Sequence, residues 1–224
     1  MNSYYSESLY ANKLKRVYEV GSPRIMQFLE EEIKFVLSKI NSGDSVLDLG
    51  CGYGRVAIRL AEKSKEVVGI DISQDNIKLA KQMYKSKENL VFKVMNAADL
   101  KFPRERFDVI ICLQNGISAF KIDPQELIGE SLRVTKTGGI LLMSSYSDKF
   151  WEKRLNWFEL QAKEGLIGEI DYEKTGNGII VCQDGFTATT YREEDFKKIT
   201  RNFNVKVEIY EVDNSTVFCE MKKR

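Results

Sequence analysis

The sequence predicts an α/β protein: a doubly wound, mostly parallel seven-stranded sheet with an antiparallel last strand and a small inserted α+β lobe. Three observations carry this. Strand-length apolar runs alternate with helical periodicity from about residue 23 to residue 145, the pattern of a parallel sheet with right-handed crossovers. Val46-Leu47-Asp48-Leu49-Gly50-Cys51-Gly52-Tyr53-Gly54 passes from an apolar strand into three glycines at alternate positions, and a second apolar run ends at Asp71. Strand, glycine turn, helix, strand and acid form the unit that binds an adenosine-containing cofactor. Near the end, Asp213-Asn214 separates two strand-like runs, and such turn residues join antiparallel neighbours.

In chain order, Leu9, Leu14 and Val17 sit at helix-compatible spacing among four tyrosines, Tyr4, Tyr5, Tyr10 and Tyr18. Ser22-Pro23 then starts a helix with a cap and a proline at its first position, followed by Ile25, Phe28, Leu29, Ile33, Val36, Leu37 and Ile40. Residues 1–42 thus read as an N-terminal helical cap. Strands follow at 45–49, 66–71 (after a helix through Val56 to Ala61) and 89–95 (after a helix capped by Ser73). Phe107 to Leu113 is nearly all apolar, as expected of a strand covered on both faces. Asp123-Pro124 opens another helix, Lys136-Thr137-Gly138-Gly139 reads as a turn, and Ile140 to Ser144 as the fifth strand. The pattern then changes. An aromatic-rich helix spans 149–166, and 168–190 reads as hairpin material with a Gly176-Asn177-Gly178 turn. We take 146–190 as a lobe inserted on the acceptor side of one domain, 1–224. A helix at 192–202 and strands near 204–212 and 215–222 complete it.

Composition excludes several classes. Hydrophobic residues make up 43% of the 224, enough for a sizeable core. Lys plus Arg (34) nearly equals Asp plus Glu (33), so no electrostatic term favours DNA, RNA or an anionic membrane. The chain has no bilayer-length apolar run and no basic-then-apolar leader, which predicts a cytoplasmic location. Cys51, Cys112, Cys182 and Cys219 occur singly and read as reduced core thiols, with no metal-ligand spacing. Histidine is absent, which removes the histidine-dependent nucleophile systems and the commonest general base near neutral pH.

The glycine turn can be assigned further. A dinucleotide site needs a third glycine where this chain has Arg55, and no Lys-Ser or Lys-Thr pair completes a phosphate loop. Asp48, just before the turn, would repel a pyrophosphate and attract an ammonium group. Asp71 falls at the end of the next strand, within reach of a ribose diol. These features resemble the class I S-adenosylmethionine-dependent methyltransferases over roughly 43–145 and 191–222. The first family motif matches at 46–54, the second as Val68-Gly69-Ile70-Asp71-Ile72-Ser73, the third as Met95-Asn96-Ala97-Ala98-Asp99-Leu100 and the fourth as Phe107 to Cys112. The resemblance implies a Rossmann-like methyltransferase fold and S-adenosyl-L-methionine as cofactor. It implies that Asp48, Gly50, Cys51 and Gly52 line the methionine end, that Asp71 binds the ribose hydroxyls, and that Ile72 lies against adenine. Asn96, in place of the usual aspartate, would accept from the adenine amino group while the Ala97 N–H donates to the ring; a plain Asx-turn is the other reading of Asn96.

Methyl transfer from a sulfonium needs the nucleophile in line with the S–CH3 bond, so the protein mainly positions and desolvates. The acceptor would be an N, O or S nucleophile of a small molecule; a protein or RNA acceptor, and a module that binds cofactor without turnover, are the alternatives. An open groove beside Gln114 would favour a macromolecule and a closed cavity a metabolite. Gln114 and Asn115, after the fourth strand, are the candidate catalytic residues, with Asn115 either orienting the acceptor or capping the following turn. Tyr18 and Arg24 join the candidate cofactor-binding set. The N-terminal tyrosines either form a lid or pack the first helix on the sheet edge. A homodimer is one admissible assembly.

Overall fold

The computed structural model describes Tyr4 and residues 8–224; Tyr5 lies outside the described residues. Helices α1 (Asn12–Glu19) and α2 (Pro23–Ser38) precede β1 (Ser45–Leu49). Then follow α3 (Ala57–Leu60), β2 (Glu66–Asp71), α4 (Gln74–Met83), β3 (Leu90–Val94), β4 (Phe107–Cys112), α5 (Gly116–Ala119), α6 (Pro124–Val134) and β5 (Thr135–Tyr146). The lobe contains a 3-10 turn (Asp148–Phe150), α7 (Trp151–Lys163), β6 (Ile179–Val181) and β7 (Thr187–Thr189); α8 (Glu193–Thr200), β8 (Val205–Val212) and β9 (Thr216–Lys223) close the chain.

The main sheet has seven strands in the order β3-β2-β1-β4-β5-β9-β8. Strands β1 to β5 pair in parallel, and β9 runs antiparallel to both β5 and β8. Successive crossovers leave β1 in opposite directions, so β1 and β4 flank a switch point whose crevice opens at their carboxyl ends. The helix starts follow local chemistry. Ser22 accepts from the Ile25 N–H ahead of Pro23, Ser73 accepts from the Asn76 N–H, and the Asp123 carboxylate accepts from the N–H groups of Gln125 and Glu126.

Strand alternation divides the core in two. Val46, Val67 and Val109 face the layer of α2, α3 and α4, where Ile33, Val36, Leu60 and Ile77 meet them. Leu47, Val68 and Ile110 face α6 and α8 through Leu127, Ile128 and Phe196. Helix α2 is therefore one of the covering layers of the sheet, and its N-terminal half also faces a third core. There, Leu9, Val17, Phe28 and Leu29 pack with Phe150, Trp157, Phe158, Ile180 and Phe186 of the lobe. The N-terminal segment and the lobe are thus one aromatic assembly.

Two local expectations need correction. Lys136 to Gly139 lies inside β5: Phe107 pairs with Thr135 and Val109 with Ile140, so two steps along β4 match five along β5 and the extra residues bulge outward. Gly176-Asn177-Gly178 does form a tight turn, closed by paired hydrogen bonds between Gly176 and Ile179, but it precedes β6. The β6–β7 hairpin turns instead through Gln183, Asp184 and Gly185, where the Cys182 carbonyl accepts from the Gly185 N–H. Several Gly and Asn positions in this stretch could host a turn, and the pairing partner decides which one joins the strands. All four cysteines are buried and free. No helix among the described residues is long and apolar enough to cross a membrane.

Trp157 is buried in the third core and donates from its indole N–H to the Val17 carbonyl at 3.0 Å. We expect Trp157→Ala to cost about 3–5 kcal/mol in denaturant unfolding, from the lost aromatic volume. A loss below 1 kcal/mol would mean that the lobe and the N-terminal segment hold together without it.

Candidate active site

The crevice at β1 and β4 opens into a cleft of about 160 Å3. One water needs roughly a tenth of that volume, so the cleft is of ligand size. Its floor is the glycine turn. Gly50, Gly52 and Gly54 all have left-handed backbones, with φ of 70°, 54° and 88°. A Cβ on Gly50 would stand 2.6 Å from the Phe120 ring, and one on Gly52 would stand 2.9 Å from Leu14. Glycine is required there by conformation and by the side chains that close over the turn. The Cys51 N–H donates to the Ile70 carbonyl at 2.9 Å, which ties the turn to β2.

Asp71 organises the next edge. One carboxylate oxygen accepts from the Gly52 N–H at 2.9 Å, and the other from the Ser73 N–H at 2.8 Å and the Asn76 amide at 3.3 Å. Asn76 in turn accepts from the Ala11 N–H at 2.6 Å, fastening the N-terminal segment beside the cleft. Burial pushes Asp71 above the usual carboxylate range, and these donors pull it back. Asp48 has no such donors. Its Oδ2 is buried without a hydrogen-bond partner in the protein, and its pKa is pushed up to about 8 by burial, with the Asp71 charge adding to this and Arg55 opposing it.

The end of β4 is held in strained backbone: Gln114 and Asn115 have φ of 52° and 60°. The buried Glu32 of α2 and Ser144 of β5 both accept from the Gln114 N–H, at 3.1 and 2.9 Å, and the Ser144 hydroxyl donates to Glu32. Burial raises the Glu32 pKa against these donors. The Tyr18 hydroxyl donates to Gln114 Oε1 at 2.6 Å, so α1 closes directly onto the β4 end. Leu9, Leu14 and Val17 continue this roof, and Trp157, Phe158 and Gln161 of α7 line the cleft beside them. Gln161 is buried and its Nε2 has no partner in the protein.

Of the residues named from sequence, Asp48, Gly50, Cys51, Gly52, Asp71, Ile72, Asn96, Ala97, Tyr18 and Gln114 all line this one cleft. Asn96 forms the Asx-turn, accepting from the Ala98 N–H at 2.9 Å, which leaves one lone pair of the same oxygen. Two residues are placed elsewhere. Arg24 is bound to the β8–β9 turn by Asp213, through its carboxylate at 2.7 Å and its carbonyl at 2.8 Å, and stacks on Phe150. It does not line the cleft, because the half-buried Asp213 of that turn holds it. Asn115 turns its side chain to β5 and accepts from the Ser145 hydroxyl at 2.8 Å, while its backbone carbonyl closes the turn into α5. It braces strand ends and does not face the cleft. Of the tyrosines, Tyr18 faces the cleft, whereas Tyr4 hydrogen-bonds Asp184 and packs edge-on against Phe186 of the lobe.

Sequence reasoning missed Glu32, Arg55, Tyr146 and Gln161. Glu32 carries a readable signal: a carboxylate inside the apolar stripe Phe28, Leu29, Ile33 and Val36. Gln161 follows Trp157 by one helical turn and so shares its buried face.

A family profile described as a methyltransferase domain matches residues 40–204. The chain belongs to the methyltransferase-domain family. It is similar to the ubiquinone biosynthesis O-methyltransferase of Coxiella burnetii, at 28% identity over 141 residues, covering 62% of this chain and 56% of the relative. It is also similar to the 2-methyl-6-phytyl-1,4-hydroquinone methyltransferase of Synechocystis, at 32% identity over 151 residues, covering 59% of this chain and 47% of the relative. The chain thus spans about half the length of these curated relatives. The crystal structure of the PH0226 protein from Pyrococcus horikoshii OT3 shares the fold, with a TM-score of 0.69 at 24% identity over 93% of this chain and 95% of that one.

Within this methyltransferase domain, the unpartnered Asp48 has a pH signature. A carboxyl whose folded pKa lies above its unfolded value adds a penalty that is absent below about pH 4 and grows as pH rises toward 8. Asp48→Asn should therefore raise the melting temperature of the ligand-free protein at pH 8 and do so much less at pH 5. A pH-independent difference in thermal scans would contradict the assigned burial.

Proposed function

We propose that the protein transfers the methyl group of S-adenosylmethionine to a small, uncharged acceptor, with an aromatic hydroxyl as the nucleophile. The observation that supports this most directly is the roofed cleft at the switch point, with carboxylates on one side and an aromatic wall on the other. The residues fit the cofactor. Asp48 Oδ2, a buried acceptor without a donor, suits the ammonium of the methionine arm. Asp71 stands at the end of β2 for the ribose hydroxyls, and Ile72, Met95 and Ala97 offer apolar surface for adenine beside Asn96. When bound, the sulfonium supplies an activated methyl group and departs as a thioether.

The acceptor wall supports a small neutral ring. Among the described lining residues, charge is confined to Asp48, Arg55 and Asp71; β4, β5, α5 and α7 contribute Gln114, Phe120, Tyr146, Trp157, Phe158 and Gln161 instead. A charged acceptor would be desolvated there without a partner. Gln161 and Gln114 can hydrogen-bond a ring oxygen, and Trp157 and Phe158 exclude water and hold the ring plane. Residues of α1 and α7 line the cleft together with Gln114, which supports a small acceptor over a protein or RNA one. Burial holds the Tyr18 and Tyr146 hydroxyls up at about 12, so they serve as hydrogen-bond donors and not as bases. The phenol proton leaves to solvent in the course of the transfer, so no free phenolate is held against the uncharged wall, which favours acidic phenols over aliphatic alcohols. Of the two relatives named above, one is a ubiquinone biosynthesis O-methyltransferase and the other a hydroquinone methyltransferase; both names support a ring acceptor, and the first supports oxygen as the atom.

The test combines calorimetry with S-adenosylmethionine and tritium transfer from the labelled cofactor to hydroquinones, catechols and aliphatic alcohols. Saturable binding and label in the phenols are expected; no cofactor binding would end the proposal. Asp71→Ala should weaken binding of S-adenosylhomocysteine by about 1–3 kcal/mol, since ribose hydroxyls lose a buried acceptor, and an unchanged affinity would remove the ribose contact. Gln161→Leu should raise the acceptor KM and leave cofactor affinity unchanged; a change in cofactor affinity alone would place Gln161 at the wrong end of the cleft.

A further inference from the structure

Arg55 follows the glycine turn directly, where a dinucleotide site would have its third glycine, and its side chain lines the same cleft as Asp48. Its Nη2 is buried and has no hydrogen-bond partner in the protein, and it makes no salt bridge with any described residue. Other arginines of the chain behave differently: Arg24 pairs with Asp213, Arg59 with Glu30 and Arg192 with Asp148. A guanidinium in a partly buried cleft with no ion pair keeps N–H groups that the protein itself does not satisfy. What Arg55 does have is a platform: its guanidinium lies 4.7 Å from the ring centroid of Tyr18. That stacking fixes the plane of the fork and leaves its N–H edges for another group.

We infer that Arg55 holds the amino-acid carboxylate of the bound cofactor, with Asp48 taking the ammonium of the same arm. The inference rests on the reading of the cleft as an S-adenosylmethionine site. A zwitterion needs one anion and one cation at the end of the cleft, and Asp48 and Arg55 each bring an unpartnered buried atom there. The two feel each other's charge, since Arg55 lowers the Asp48 pKa, yet they form no ion pair. They are therefore available to opposite ends of one ligand. The inference gives the departure from the dinucleotide pattern a purpose: the position that would need glycine for close packing carries the cation that the methionine arm requires. It also joins the two halves of the site. The Tyr18 ring stacks on Arg55 while its hydroxyl holds Gln114, so the residue that steadies the cofactor's carboxylate partner also shapes the acceptor end.

The test uses calorimetry on the full chain with S-adenosylmethionine and decarboxylated S-adenosylmethionine, which differ only in the carboxylate. The wild type should prefer the carboxylated ligand at least tenfold. Arg55→Met should weaken S-adenosylmethionine at least tenfold and change decarboxylated S-adenosylmethionine less than twofold. Arg55→Lys, which keeps the charge and loses the fork, should retain part of the preference and serves if the Met variant does not fold. Equal weakening of both ligands, or an unchanged preference in either variant, would overturn the inference and leave Arg55 as a structural partner of Tyr18. Failure of the wild type to bind either ligand would instead overturn the cofactor reading, and the Arg55 inference with it.

Discussion

The carboxylate of Asp71 is the junction on which the site depends. It accepts from the glycine turn at Gly52, from the start of α4 at Ser73, and from Asn76, which itself accepts from Ala11. The glycine turn, the start of α4 and, through Asn76, the N-terminal segment are thereby tied to one half-buried carboxylate. Such a charge is tolerable only because each oxygen is occupied by N–H donors. The same donors set the shape of the turn that Gly50 to Gly54 can adopt. A ligand that approaches this carboxylate meets a group already oriented, which is what positioning chemistry requires.

A second constraint acts at the other end of the cleft. The β4 strand ends in two left-handed residues, Gln114 and Asn115, and strain of that kind persists only where surrounding groups over-determine it. Here Glu32, Ser144 and Ser145 do so, from α2 and from the neighbouring strand. Glu32 is buried to do this, at the cost of a raised pKa. The result is a rigid corner between α2, β4 and β5. Tyr18 closes onto that corner from above. The lobe then contributes Trp157, Phe158 and Gln161, held in place because its core is shared with Leu9, Val17 and Phe28. The roof and the lobe bury each other's apolar faces, so the aromatic wall of the cleft exists only when both are folded.

The elements that were legible from sequence are those written in local chemistry. Ser22-Pro23, Ser73 and Asp123-Pro124 cap helices where expected, because a cap is an interaction between residues three positions apart. The glycine turn was equally readable, since left-handed backbone selects glycine at the position itself. Where local chemistry was ambiguous, reading failed by small amounts. Lys136 to Gly139 has turn composition but bulges within β5, and Gly176 to Gly178 turns before β6 and not between its strands. Arg24 and Asn115 lie outside the cleft lining for a different reason: an arginine or asparagine carries no mark of which partner will capture it. Asp213 and Ser145 did so, from 189 and 30 residues away.

Local sequence specifies the sheet, the switch point and the edge of the cleft formed by Asp48, the glycines and Asp71. These lie within one strand–turn–helix–strand unit, where spacing along the chain fixes spacing in space. The roof, the pairing of α1 with α7, the burial of Glu32 behind Gln114 and the absence of an ion pair at Arg55 arise only on packing. Each of those depends on which distant surfaces are apolar enough to exclude water together. That is a property of the packed whole, because burial is shared between partners and no single segment encodes it.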